Sequence, residues 1–147
     1  MTVFFCGTCG VAVTGDVSEI PFPDEPAVHD DRTLAPSRMA PGSFARDPDR
    51  FGPPFEPAFD DPKLLVSAGP ALTILVHPDD VRGLRLHPDP RRLNGCCRLD
   101  GCDGPNLVCA GCGAEIATEQ SDCWVSWHDI RLDPTAVTEH HPDSDQW

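Results

Sequence analysis

The stretch FFCGTCG at residues 4–10 meets a near-copy of itself in CAGCG at residues 109–113. Both contain Cys-x-x-Cys-Gly. Two residues between cysteines let one tight turn deliver two sulfurs to a single centre. Gly10 and Gly113 follow each pair where a residue without Cβ allows the chain to turn and backbone N–H groups to approach the sulfurs. Cys6, Cys9, Cys109 and Cys112 therefore read as one split site with four soft ligands. Joining ends about a hundred residues apart costs roughly 4 kcal/mol of chain entropy. A structural four-ligand zinc site in a small peptide contributes about 10–16 kcal/mol, so the separation is no obstacle.

The paired CxxCG turns resemble the knuckles of zinc-ribbon, rubredoxin and β-tent proteins, which join two such turns into one four-cysteine site. That resemblance implies a structural Zn2+, or Fe as the alternative, held by Cys6, Cys9, Cys109 and Cys112. A local partition competes with it, since Cys96, Cys97, Cys102, Cys109 and Cys112 crowd into GCCRLDGCDGPNLVCAGC. It would leave Cys6 and Cys9 in search of other partners. A second metal site from Cys97, Cys102, Cys123 and His128 is chemically allowed, although its spacings are irregular. The same thiols, with Cys96, are candidates for a redox role; Arg98 is the one cation beside them in sequence, and thiol reactivity depends on such neighbours.

Composition bounds the rest. The chain has 147 residues, of which 39% are hydrophobic, enough for one domain with a core. We expect a single metal-stabilised domain over 1–147. The N-terminal sequence MTVFFCGTCG lacks a basic and apolar leader, and no run approaches a membrane span, so the expected location is cytoplasmic. In a reducing compartment, eight cysteines read as metal ligands or redox thiols, not a disulfide framework. The net charge of −13, with one lysine and scattered arginines, argues against direct nucleic-acid binding. It leaves an acidic surface that keeps the chain soluble or meets a basic protein partner. No membrane association is expected.

Along the chain, VAVTGDVSEI at 11–20 reads as a strand with a Thr-Gly-Asp turn. Residues 21–62 hold ten of the seventeen prolines and read as an irregular segment, wrapped on the core through its phenylalanines. LLVSAGPALTILV at 64–76 and VRGLRL at 81–86 read as strands of a hairpin, with His-Pro-Asp turns at 77–79 and 87–89 in which Pro fixes φ and Asp caps. AEIAT at 114–118 and WVSWHDIRL at 124–132 suit short strands, and no stretch keeps a 3.6-residue apolar period. The expected class is mainly β: small antiparallel sheets pinned by the split site, with a long proline-rich wrapping loop and a flexible tail at 140–147.

No catalytic constellation is legible. HExxH, GxSxG, a Walker loop and GxGxxG are all absent, and no His-x-Glu precedes a cysteine pair as in zinc deaminases. The His-Pro-Asp triplets at His77, His87 and His141 resemble the J-domain tripeptide only in composition, because two lie between strand-like segments and one in the tail. Trp124, Trp127 and Trp147 raise the aromatic cage of one β-tent family, but there the tryptophans lie between the knuckles, whereas here they follow the second; core packing is the plainer reading.

Longer stretches, MAPGSFARDPDRFGPPF at 39–55 and GCCRLDGCDGPNLVCAGCGAEIATEQSDCW at 95–124, resemble uncharacterised cysteine-rich actinobacterial proteins, which implies a source but no activity. The functional expectation is a zinc-binding intracellular protein-interaction or regulatory module. A rubredoxin-like iron electron carrier and a thiol redox sensor are the alternatives.

Overall fold

In the computed structural model, residues 1–23, 35–58, 61–122, 125 and 127–141 are described. They are mainly β. The strands are β1 (Val3–Cys6), β2 (Ser18–Glu19), β3 (Ser43–Arg46), β4 (Phe55–Ala58), β5 (Asp61–Ser67), β6 (Ile74–Val76), β7 (Leu84–Leu86), β8 (Leu107–Cys109), β9 (Glu115–Gln120), β10 (Asp129–Leu132) and β11 (Val137–His140). A seven-stranded sheet runs β2-β3-β6-β10-β9-β8-β7, and β1-β11 and β4-β5 form two-stranded sheets. Every pairing is antiparallel except the short β2–β3 contact.

Strand alternation builds two cores on opposite faces of the large sheet. Phe44, Ile74, Val76, Ile130 and Leu132 face one way and join Phe4, Val13, Val17 and Ile116 in the main cluster. Phe4 and Phe44 meet edge to face at 5.0 Å, a geometry that suits their ring quadrupoles. Ala45 and Leu75 face the other way, onto Met39 and Phe22. On β10 that second face is polar: Arg131 lies beside Leu75 in register, and it is buried in an ion pair with Asp47 at 2.6 Å.

Three expectations differ from what is observed. VAVTGDVSEI at 11–20 is not one strand, since only Ser18–Glu19 forms β2 while Ala12, Thr14 and Val17 make isolated bridges. The proline-rich segment 21–62 is not irregular throughout. β3 has no proline and packs Phe44 and Ala45 into the two cores, while β4 carries Pro57 in a two-stranded ribbon, where a missing donor is tolerated. Part of the segment, 24–34 and 59–60, lies outside the described residues. Nor do 64–76 and 81–86 form a hairpin. β6 pairs with β3 and β10, and β7 pairs with β8, because Ile74–Val76 is buried on both faces and occupies the sheet interior.

The His-Pro-Asp turns are present as short 3-10 or bent segments. Their first cap is the histidine, since Nδ1 of His77 and of His87 each accepts the N–H of the following aspartate at 3.0 Å. The tail expected at 140–147 is described only through His141; His140 belongs to β11, and the remainder lies outside the described residues.

The β4–β5 ribbon stands in contrast to the core, with Phe55, Leu64, Leu65 and Val66 all exposed. Phe44→Ala should lower unfolding free energy by about 3–5 kcal/mol, and Leu65→Ser, on the ribbon, by no more than about 0.5 kcal/mol. Urea melts of the two variants check this; equal losses would place the ribbon in the stabilising core.

Candidate metal centre

Each CxxCG turn is closed by the same pair of backbone bonds. In the first, the Cys6 N–H donates to the Val11 carbonyl at 2.8 Å and the Gly10 N–H donates to the Cys6 carbonyl at 2.9 Å. In the second, Cys109 donates to Ala114 and Gly113 to Cys109, both at 2.8 Å. Gly10 and Gly113 have φ of 80° and 79°, the left-handed region that side chains disfavour. The sequence repeat is thus a repeat of backbone geometry.

Strand ends bring the turns together. Cys6 closes β1, which is paired to β11 with Cys6 opposite Val137, and Cys109 closes β8. Between them runs the segment 80–84. The Arg82 N–H donates to Val13 at 2.7 Å on the first side, and the Gly83 carbonyl accepts from Ala110 at 2.8 Å on the second.

The four sulfurs lie within 4.8 Å of one another, with Cys6 and Cys109 buried and Cys9 and Cys112 exposed. Cys6 and Cys112 sulfurs are 3.6 Å apart, and those of Cys9 and Cys109 are 3.5 Å apart. With Zn–S bonds of about 2.3 Å, the edge of a tetrahedral site is roughly 3.8 Å. The cluster can hold a metal ion.

Proton affinities are split in the same pattern. Burial raises the Cys6 thiol, but the N–H groups of Cys9 and Thr8 and the neighbouring thiols outweigh it and bring it to about 6. The N–H of Cys112, with that of Gly111, likewise lowers Cys109 against its burial. For Cys9 the Val11 N–H lowers the thiol, yet its hydrogen bond to Cys109, burial and the other cysteines push it up to about 12. Cys112 is lowered by the Ala114 N–H and raised on balance by burial and by its bonds to Cys6 and Cys109. Without metal, protons are held more tightly by Cys9 and Cys112 than by Cys6 and Cys109.

Among the described residues, no other group of three or more histidine, cysteine or acidic ligands is arranged for a metal. Cys97 and Cys102 are exposed. The half-buried ring of His128 approaches Glu119, Nε2 to carboxylate, at 4.0 Å. Cys123 lies outside the described residues, as do Trp124 and Trp147. Trp127 is half-buried under the Arg38 guanidinium at 5.8 Å.

Two arrangements escape motif reading. One is a buried polar chain on the second sheet face: Arg131 pairs with Asp47, donates to Thr73 at 3.2 Å and stacks over Phe51 at 4.3 Å, beside a cavity of about 210 Å³. Arg38 grips Asp129 through two nitrogens at 3.1 and 2.8 Å. The alternation in DIRL carried the signal, since Asp129 and Arg131 fall on one face and the apolar Ile130 and Leu132 on the other. The second is Asp122, discussed below, for which the sequence holds no comparable sign.

The chain matches no family model, no curated protein and no solved structure. No helix among the described residues is long and apolar enough to cross a membrane.

Gly83 has φ of 62°, and a Cβ there would stand 3.3 Å from the Ala12 carbonyl. Gly83→Ala should therefore destabilise the fold by about 1–2 kcal/mol and weaken metal retention with it. Thermal melts and metal content of the purified variant measure both; an unchanged protein would remove segment 80–84 from the account of how the turns are held.

Proposed function

We propose that Cys6, Cys9, Cys109 and Cys112 hold one structural Zn2+ and that the domain it stabilises is a protein-interaction or regulatory module of a reducing, cytoplasmic setting. The observation that carries this reading is the gathering of four sulfurs from two CxxCG turns within 4.8 Å. Four thiolates fill a tetrahedral ion's coordination, leaving no position for substrate, so the metal's contribution is to the fold. The net charge of −13 favours a basic protein surface as partner.

In this reading the ion ties β1, and through it β11, to the end of β8. Cys9→Ser should lose the bound zinc and unfold at a markedly lower temperature, and chelation of the wild type should do the same. Metal analysis and melting curves decide it; a Cys9→Ser protein that keeps its zinc and its melting temperature would move the ligands to the local cysteine group. Protein purified from iron-supplemented cells should be colourless. A red, reversibly bleached absorption with one iron per chain would make it an electron carrier.

The split proton affinities set the sign of a pH dependence. Cys9, pushed up to about 12, keeps its proton at neutral pH, and Cys112 holds its proton more tightly than Cys6 and Cys109 hold theirs, so zinc must displace protons to bind. Apparent affinity should therefore rise with pH through the neutral range, by at least about tenfold per unit. It should fall more steeply below about 6, where Cys6 is protonated as well. Competition against a chromophoric chelator across pH 6–8 reads the slope, and a flat profile would mean the bound ion is not held by these thiols.

A further inference from the structure

Residues 95–98, Gly-Cys-Cys-Arg, are folded around one carboxylate. Asp122, only 1% exposed, accepts the Cys96 N–H at 2.7 Å, the Cys97 N–H at 2.8 Å and the Arg98 N–H at 3.2 Å. The Ser121 and Asp122 N–H groups return to the Leu99 carbonyl at 2.8 and 2.9 Å. The turn is so tight that a Cβ on Gly95 would fall 1.6 Å from the Arg98 carbonyl oxygen. Three successive amides on a buried anion fix a backbone far more firmly than an exposed loop is fixed.

Adjacent side chains ordinarily diverge, but in this cradle the Cys96 and Cys97 sulfurs are exposed and stand 3.8 Å apart. A pyramidal atom bonded to both at about 2.3 Å holds them roughly 3.5 Å apart, so a small side-chain rotation brings the pair into bridging distance. We propose that Cys96 and Cys97 form a dithiol site, separate from the four-cysteine cluster, that captures trivalent arsenic or an organic derivative of it.

The setting selects among soft, thiol-seeking ligands. A Cu+ ion bound by two thiolates would leave a net negative complex above the Asp122 carboxylate, in a chain already at −13. Trivalent arsenic avoids that. An organoarsenic(III) oxide, R–As=O, condenses with two thiols to form two As–S bonds. Both thiol protons and the oxide oxygen leave as one water, no electrons are transferred, and the product is uncharged. Cys102 is a bystander: burial and the Asp100 and Asp103 carboxylates raise its thiol, which points to the Asp100 carbonyl at 3.7 Å.

The test is titration of full-length protein with phenylarsine oxide, read by intact mass, peptide mapping and metal content. One adduct per chain should form on the peptide carrying Cys96 and Cys97, be reversed by a small dithiol, and leave bound metal in place. Cys96→Ser and Cys97→Ser should each weaken capture by more than about tenfold, whereas Cys102→Ser and Cys123→Ser should not. Asp122→Asn keeps both thiols but loosens the cradle, and should weaken capture with an unchanged thiol count. Circular dichroism confirms that each variant is folded. The proposal is overturned if the Cys96/Cys97 double serine variant still takes one equivalent, if Cys102→Ser or Cys123→Ser abolishes capture, or if the adduct maps to Cys6, Cys9, Cys109 or Cys112. Zinc content is scored separately, so a protein without zinc that still takes arsenic on Cys96 and Cys97 leaves this inference standing while removing the structural-metal reading.

Discussion

Two hydrogen bonds from neighbouring residues govern the cysteine cluster. Arg82 gives its N–H to Val13, and Gly83 offers its carbonyl to Ala110, at 2.7 and 2.8 Å. The first reaches Val13, on the segment that follows the Cys6–Cys9 turn and pairs back onto Phe4 of β1; the second reaches the turn that carries Cys109 and Cys112. With the Gly15 N–H on the Asp80 carbonyl at 3.0 Å, they make the segment 80–84 a splint between β1 with β11 and the β7–β8 edge of the large sheet. Backbone bonds are directional and obligatory once water is excluded, so they fix the approach of the sulfurs before any ion contributes.

The large sheet is divided in purpose by its two faces. One is apolar and packs Phe4 against Phe44; the other buries charge, with Arg131 held by Asp47, Thr73 and Phe51, and Asp129 held by Arg38. A buried ion pair is costly unless its remaining donors are satisfied, and here they are met by the Thr73 hydroxyl, the Gln120 side-chain oxygen and the Asp129 carboxylate. The pairing also sets register. A one-residue slip of β10 would send Arg131 into the apolar cluster and Ile130 into the polar one.

Legibility in the sequence followed the range of the forces involved. The CxxCG turns are local, closed by bonds within six residues, and glycine after the second cysteine announces them. AEIAT and WVSWHDIRL read as short strands, and β9 and β10 fall there, β10 only over the last four residues of the second stretch. Pairing was not legible: nothing in ILV at 74–76 names β3 and β10 as neighbours in preference to β7, because a strand buried on both faces has lost the alternation that would orient it. The proline count concealed β3, whose four residues contain no proline. Asp122 was hidden for a different reason, since its three partners are backbone amides about 25 residues away, and amides are the same in every sequence.

The division of the cluster between β1 and β8 also places it in time. During synthesis at about 5–20 residues per second, Cys6 and Cys9 are made several seconds before Cys109 and Cys112. Val137–His140, the strand that pairs with β1, is made later still. For that interval the first turn has neither its sheet partner nor its opposite sulfurs, and remains an open two-thiol chelate on a nascent chain. The cluster therefore cannot close before synthesis has passed Cys112, and β1 cannot pair before Val137–His140 has followed.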